Sequence, residues 1–224
     1  MSIQNPRHVI SSEFFSLDDD PATQNFSDYP FVIEALLLAS FNKIEPDFEW
    51  ANIYPGEHYR LLSGLISVLK PSLCVDIGTY RGCSARVMLD NSESSSRVYT
   101  FDIEDYNSFD WTVLKESDFI EKKLTFVKED LGDKKVFEKY AELFQEADFI
   151  MLDGPKNDVF EALFLSQLSQ INLKRKPRWL FIDDIRFRNM QHLWRLIQSP
   201  KLDLSSFGHF SGSGLVNISK GLYF

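Results

Sequence analysis

The chain has 224 residues, 44% of them hydrophobic, which suits one domain with a substantial core and is short for two. With 20 Phe against only 10 Gly and 9 Pro, the composition is neither disordered nor fibrous. The formal net charge of -9 repels phosphate backbones and anionic lipid surfaces, so neither nucleic acid nor a membrane is an expected partner. Cys74 and Cys83 fall in a predicted strand and at a predicted helix start. They read as reduced core residues, which fits the cytoplasm. No secretory signal opens the chain, and the most apolar run, Phe31 to Phe41, contains Glu34 and is too short to span a bilayer. A soluble cytoplasmic protein is expected.

The first fifty residues carry a polar, turn-rich stretch, Leu17-Asp-Asp-Asp-Pro21, followed by Tyr29-Pro30 and an apolar stretch, Phe31 to Phe41, that predicts a buried helix. Residues 57–69 place Leu61, Leu62, Leu65, Ile66 and Leu69 at helical spacing, with Pro71 as a stop. Leu73 to Ile77 predicts a strand buried on both faces and ending at Gly78; Gly82 to Leu89 predicts a helix. Val98 to Phe101 is a second strand, ending at Asp102, and Leu124 to Val127 a third. Val136, Phe137, Tyr140, Leu143 and Phe144 mark a helix. Phe149 to Leu152 is a fourth strand, ending at Asp153, and Val159 to Leu168 another helix. Trp179 to Ile182 is a fifth strand, ending at Asp183-Asp184, with a helix over Met190 to Ile197. Phe207 to Ile218 reads as a hairpin around Gly212-Ser-Gly214.

Strands alternating with helices imply parallel pairing with right-handed crossovers, and ligands of open α/β sheets sit beyond the carboxyl ends of the strands. Gly78, Asp102, Asp153 and Asp183 therefore collect on one edge. In Val75-Asp-Ile-Gly-Thr-Tyr-Arg-Gly-Cys-Ser84 a buried strand enters a glycine turn and then a helix. Gly78 permits the bend and a close ligand approach. Tyr80 stands where the dinucleotide fingerprint needs its middle glycine, so a pyrophosphate would be crowded and a ligand without phosphates fits better. Asp102 is placed to accept both hydroxyls of a ribose.

These residues resemble motif I of class I methyltransferases, closest to the catechol and caffeoyl-coenzyme A O-methyltransferase group. Val98-Tyr-Thr-Phe-Asp102 resembles its ribose-binding acidic motif, and Leu124-Thr-Phe-Val-Lys-Glu-Asp130 the motif whose loop flanks the adenine. The resemblance spans roughly residues 55–224. It implies a Rossmann-like α/β fold with a mostly parallel seven-stranded sheet, a C-terminal antiparallel hairpin and helices on both faces. It leaves the first fifty residues unexplained; their own composition reads as an N-terminal cap or lid, 1–50, before a methyltransferase domain, 51–224. The implied cofactor is S-adenosylmethionine, with contacts from Gly78, Thr79, Tyr80, Ser84, Asp102, Ile103, Glu129, Asp130 and Asp153. A homodimer is implied by analogy only.

At the reaction end, adjacent strand ends would bring Asp153, Asp183 and Asp184 together. Three carboxylates in one pocket need a cation or protons to offset their repulsion, and a divalent cation such as Mg²⁺ suits oxygen ligands. A metal-bound hydroxyl ionises more readily, giving an oxygen nucleophile near neutral pH. Lys156 follows Asp153 by three positions. Beside a divalent ion and a sulfonium its pKa is expected to fall, so that the neutral amine could take a proton. The same group resembles this arrangement, with an Asp-x-x-Lys after strand four and an Asp-Asn pair after strand five. Asp153 and Lys156 match the first. Asp183 matches the pair's first member, and Asp184 replaces the Asn, as in sugar-modifying and cephalosporin hydroxylase-like relatives.

The expected activity is methyl transfer to a small hydroxylated molecule. Two alternatives stand: a non-catalytic methyltransferase-like binding protein, and an NAD-dependent oxidoreductase, against which Tyr80 argues. No G-x-S-x-G elbow supports an esterase. His8, His58, His192 and His209 show no ligand spacing and read as structural or surface groups, although His58 or His209 could line a pocket. Phe109 and Trp111 are placed either over the substrate or in the core.

Overall fold

The computed structural model describes residues 20, 22–42, 44, 51–52, 56–157, 159–172, 176–187, 189–207 and 209–224. Of the polar stretch 17–21 only Asp20 is among them, and His8 lies outside. Pro30, its ring already set for helical φ, begins helix α1 (Pro30–Phe41). Val32 and Ala35 of α1 are fully buried against α2 (Glu57–Leu69). The two helices meet backbone to backbone, since a Cβ on Gly64 would lie 2.1 Å from the Ala35 carbonyl oxygen. The expectation of a buried helix needs correcting: Ile33, Leu37 and Phe41 are exposed, so α1 buries only one face. Ahead of α1 the chain lies along a sheet edge. Gln24 donates to the Lys201 carbonyl (2.9 Å), Lys201 donates to the Ala22 carbonyl (2.9 Å), and the buried Lys201 ammonium pairs with Asp20 (2.9 Å). An edge strand is thereby kept from pairing with other chains.

α2 ends where Lys70 turns left-handed at φ 47 and donates to the Ile66 carbonyl (2.9 Å). The strands follow as β1 (Leu73–Ile77), β2 (Arg97–Asp102), β3 (Leu124–Lys128), β4 (Phe149–Leu152), β5 (Trp179–Asp183), β6 (Lys201–Asp203) and β7 (Ser213–Asn217). Between them lie α3 (Cys83–Asn91), α4 (Lys134–Lys139), α5 (Ala141–Glu146), α6 (Val159–Ser169) and α7 (Met190–Leu196). Their order in the sheet is β3-β2-β1-β4-β5-β7-β6. β1 to β5 pair in parallel and β7 runs antiparallel to both β5 and β6.

Both sheet faces are covered, which is why β4 and most of β5 read as apolar runs and β1 is interrupted only by the buried Asp76. Cys74, Met151 and Phe181 face α1–α3; Val75, Ile150 and Leu180 face α4–α7. Two boundaries differ from expectation. The single helix over Val136 to Phe144 is two short ones, because Tyr140 leaves helical geometry at φ -107, ψ 12. The terminal hairpin is not built around Gly212-Ser-Gly214: β7 pairs with the earlier β6, and residues 205–207 form a 3₁₀ turn. Gly214 instead lies under Trp194, whose ring a Cβ would meet at 2.5 Å. No described helix is long and apolar enough to cross a membrane.

Candidate active site

Successive strands fill the sheet outward from β1 and then return to β4, so the carboxyl ends of β1 and β4 flank the switch point at which α/β sheets bind ligands. There the structure opens a crevice of about 510 Å³, a volume that suits a ligand of nucleoside size. Gly78, Thr79, Tyr80, Ser84, Asp102, Ile103, Glu129, Asp130 and Asp153 all line it. Gly78 has φ 101, and a Cβ there would lie 1.9 Å from the Asp153 carbonyl oxygen. Glycine is therefore required both by its torsion and by the contact between the ends of β1 and β4. Asp102 is braced by backbone donors, Tyr80 N–H to Oδ2 (2.8 Å) and Glu104 N–H to Oδ1 (3.0 Å). Each oxygen keeps a further acceptor site for a ligand hydroxyl.

The remaining walls divide by chemistry. Glu129 is bound to Lys139 and to the Tyr140 hydroxyl (3.1 Å), and the Lys139 hydrogen bond holds its carboxyl below the usual carboxylate range. Asp130 accepts from the Gly132 N–H (2.8 Å). Leu131 and Phe160 supply apolar wall that the sequence did not single out. At the mouth, Tyr80 stands at φ 45, half exposed, edge-on to Phe109 (4.6 Å between ring centroids). The Arg81 guanidinium lies 4.2 Å from the Trp111 ring and Trp111 packs against the core. Phe109 thus belongs to the rim and Trp111 bridges rim and core.

Beneath the glycine turn, Thr79 and Thr100 share a hydrogen bond (2.6 Å), and Thr100 donates to Asp76 Oδ2 (2.7 Å). Burial pushes the Asp76 carboxyl up to about 7, against hydrogen bonds from Thr100 and Ser84 and helped by the charges of Asp153 and Asp102. A carboxyl whose folded value is raised binds its proton more tightly in the native state. Stability should therefore fall as pH rises from about 4 to about 7. Asp76→Asn removes that ionisation. Its thermal midpoint should exceed the parent's by roughly 10 °C at pH 8 and converge on it near pH 4. An equal difference at both pH values would contradict this account.

The reaction end lies where β4 and β5 finish. Asp153, Asp183 and Asp184 offer carboxylate oxygens within 4.8 Å of one another. The Lys156 ammonium stands among them, hydrogen-bonded to Asp153 Oδ1, 3.1 Å from Asp184 Oδ2 and 3.7 Å from Asp183 Oδ2. Burial opposes its charge, but the three carboxylates outweigh burial and hold the ammonium well above the ordinary lysine range. The lowered value expected from sequence presupposed a divalent ion and a sulfonium alongside; in this arrangement the lysine is protonated. Asp183 is driven upward, chiefly by burial. Burial also works against the charge of Asp184, yet Lys156 and a hydrogen bond from Ser211 keep its carboxyl below the usual range.

Lys156 is itself left-handed, at φ 57, and its N–H donates to Glu161 Oε1 (2.7 Å). Glu161 is fully buried on α6 and was missed from sequence. Its signal was a carboxylate on the apolar face of a helix. The structure also brings together two histidines that sequence spacing separates. His58, second residue of α2, and His209, between β6 and β7, have ring centroids 4.5 Å apart. His209 Nδ1 lies 3.7 Å from Asp183 Oδ1 and 3.6 Å from Asp184 Oδ1. Both are buried, so the surface option for this pair does not hold; His192 is exposed.

No known family's profile and no curated protein matches the chain. Solved structures do. A methyltransferase from Geobacter sulfurreducens shares 17% identity over 84% of this chain and 89% of its own, with a TM-score of 0.52. The SAH-bound methyltransferase PaMTH1 of Podospora anserina shares 12% identity over 83% of this chain and 86% of its own, at 0.51. With the seven-stranded order and its antiparallel end, these likenesses define the Rossmann-like fold of class I methyltransferases. The crevice occupies that fold's switch point.

Proposed function

We propose that this chain binds S-adenosylmethionine in the crevice beside Gly78 and transfers its methyl group to an oxygen of a small hydroxylated acceptor. The observation that carries the proposal is the convergence of the Gly78 turn and the braced Asp102 carboxylate, from neighbouring strands, on one cavity. Asp102 would hold the ribose hydroxyls, Ile103, Leu131 and Phe160 would flank the adenine, and the sulfonium would face Asp153. A pyrophosphate would be crowded by Tyr80 at this turn, and S-adenosylmethionine has none.

Asp153 lines the crevice and touches Lys156, so it joins the donor site to the reaction end. As the acceptor oxygen bonds the methyl carbon, the carbon–sulfur bond breaks with its electron pair going to sulfur. The acceptor's proton passes to the Asp153 carboxylate, which the Lys156 ammonium holds in place. Holding the reactants in line there would supply much of the acceleration, on the order of several kcal/mol. The carboxylate oxygens of Asp153, Asp183 and Asp184 are hard donors that fit Mg²⁺, with Lys156 moving aside from their centre. When bound, such an ion would make the acceptor hydroxyl more acidic. Both cysteines are buried and free, which suits the reducing cytoplasm.

Calorimetry on the native chain tests the donor assignment. S-adenosylmethionine should bind one to one with micromolar or tighter affinity, and NAD should give no binding heat. Binding of NAD in preference would overturn the proposal.

A further inference from the structure

We propose that His58, His209 and Asp183 form a binding site for a first-row transition-metal ion such as Zn²⁺, next to the oxygen-only cluster at Lys156. The three residues come from the start of α2, the segment between β6 and β7, and the end of β5. Their ligand atoms lie within 4.8 Å of one another and all three side chains are buried. An ion that holds such donors at about 2 Å brings them to roughly 3–3.5 Å apart, so small side-chain rotations would close the site.

The hydrogen-bond pattern separates this site from an ordinary polar core. Among the described residues, neither ring nitrogen of His58 has a hydrogen-bond partner, and neither does Asp183 Oδ1. A buried polar group left unmatched is costly, and here the unmatched groups cluster at one point. His209 Nδ1 contacts Ser211 Oγ (2.7 Å) and would exchange that contact for the ion, with Asp184 Oδ1, 3.6 Å away, as a further oxygen donor. Asp183 can serve here without vacating the other cluster. Its Oδ1 faces His209 at 3.7 Å while its Oδ2 faces Lys156 at 3.7 Å. The neighbouring carboxylates already have a cation in Lys156, whereas among the described residues no lysine or arginine pairs with the histidines.

Two imidazoles and one carboxylate select the ion. Nitrogen donors favour Zn²⁺, Fe²⁺, Co²⁺ and Ni²⁺ over Mg²⁺, which prefers oxygen and retains water. The ion would adjoin the crevice, because the His58 ring packs at a tilt against Tyr59 (4.0 Å between ring centroids) and Tyr59 lines it.

The test is a Co²⁺ titration of the full chain after chelator treatment and dialysis. The expected result is one equivalent taken up with visible ligand-field absorption, displaced by Zn²⁺ and indifferent to excess Mg²⁺. His58→Gln and His209→Gln should each weaken Co²⁺ binding by about a hundredfold or more, and Asp153→Asn by less than about threefold. Absence of Co²⁺ uptake by the native chain, indifference to both histidine substitutions, or loss through Asp153→Asn alone would each overturn the proposal. If the histidine variants fail to fold, the Co²⁺-loaded native chain decides by proton NMR. Two paramagnetically shifted imidazole N–H resonances support the site, and their absence overturns it. The titration uses no nucleoside, so its outcome is separate from that of the methyl-donor proposal.

Discussion

Gly78→Ala is expected to eliminate S-adenosylmethionine binding and to lower folding stability by about 3 kcal/mol or more. Two independent penalties combine. The residue sits at φ 101, a region that L side chains rarely adopt. Its new methyl would also lie 1.9 Å from the Asp153 carbonyl oxygen, a main-chain atom. The nearby Asp153 N–H donates to the Ile77 carbonyl at 2.8 Å, so the chain cannot yield without loosening the β1–β4 junction. That junction is the floor of the crevice. Urea titration and calorimetry would measure the two effects. An alanine variant of native stability that binds the donor normally would contradict the geometry described for this turn.

Lys156→Met should be nearly as damaging, by electrostatics rather than sterics. It leaves Asp153, Asp183 and Asp184 clustered without their ammonium, and removing one partner of a buried ion pair costs about 3–5 kcal/mol. The sign with pH follows from the direction of the shift. A lysine held above its ordinary value gives its full stabilisation below that value and loses it only as pH rises through the still higher folded value. The parent therefore has the whole benefit at pH 7. The variant's deficit should shrink as pH falls into the carboxylate range, where the uncompensated charges disappear. Chemical denaturation at pH 7 and pH 4 would read this directly. With an acceptor in hand, methyl transfer should also drop by roughly 100-fold, because Asp153 loses the ammonium that positions it. A deficit that stayed constant with pH would mean that Lys156 acts through packing alone.

The parts of this molecule that sequence revealed are those written in local order. β1 and β4 carry apolar runs because both their faces are covered, and each run stops at a residue that bends or carries charge: Gly78 or Asp153. Asp102 ends β2 for the same reason, so the crevice was legible from three strand ends. Features that depend on distant contacts were not. His58 and His209 meet only because α2 and the β6–β7 connection converge on the end of β5. Glu161 reads as a misplaced charge until its hydrogen bond to the Lys156 N–H is seen. Gly212-Ser-Gly214 looked like a hairpin turn, yet Gly214 is small to admit the Trp194 ring, a contact across the sheet face. The split between α4 and α5 at Tyr140 also escaped, since the apolar spacing continues through it.

The most direct test of the donor site is the affinity of S-adenosylmethionine for Asp102→Ala beside the native chain. Hydrogen bonds to a charged group contribute about 1.5–3 kcal/mol each, so loss of the ribose contacts should weaken binding by at least about tenfold while the fold persists. Native affinity in a folded Asp102→Ala variant would mean that the nucleoside sugar is held elsewhere.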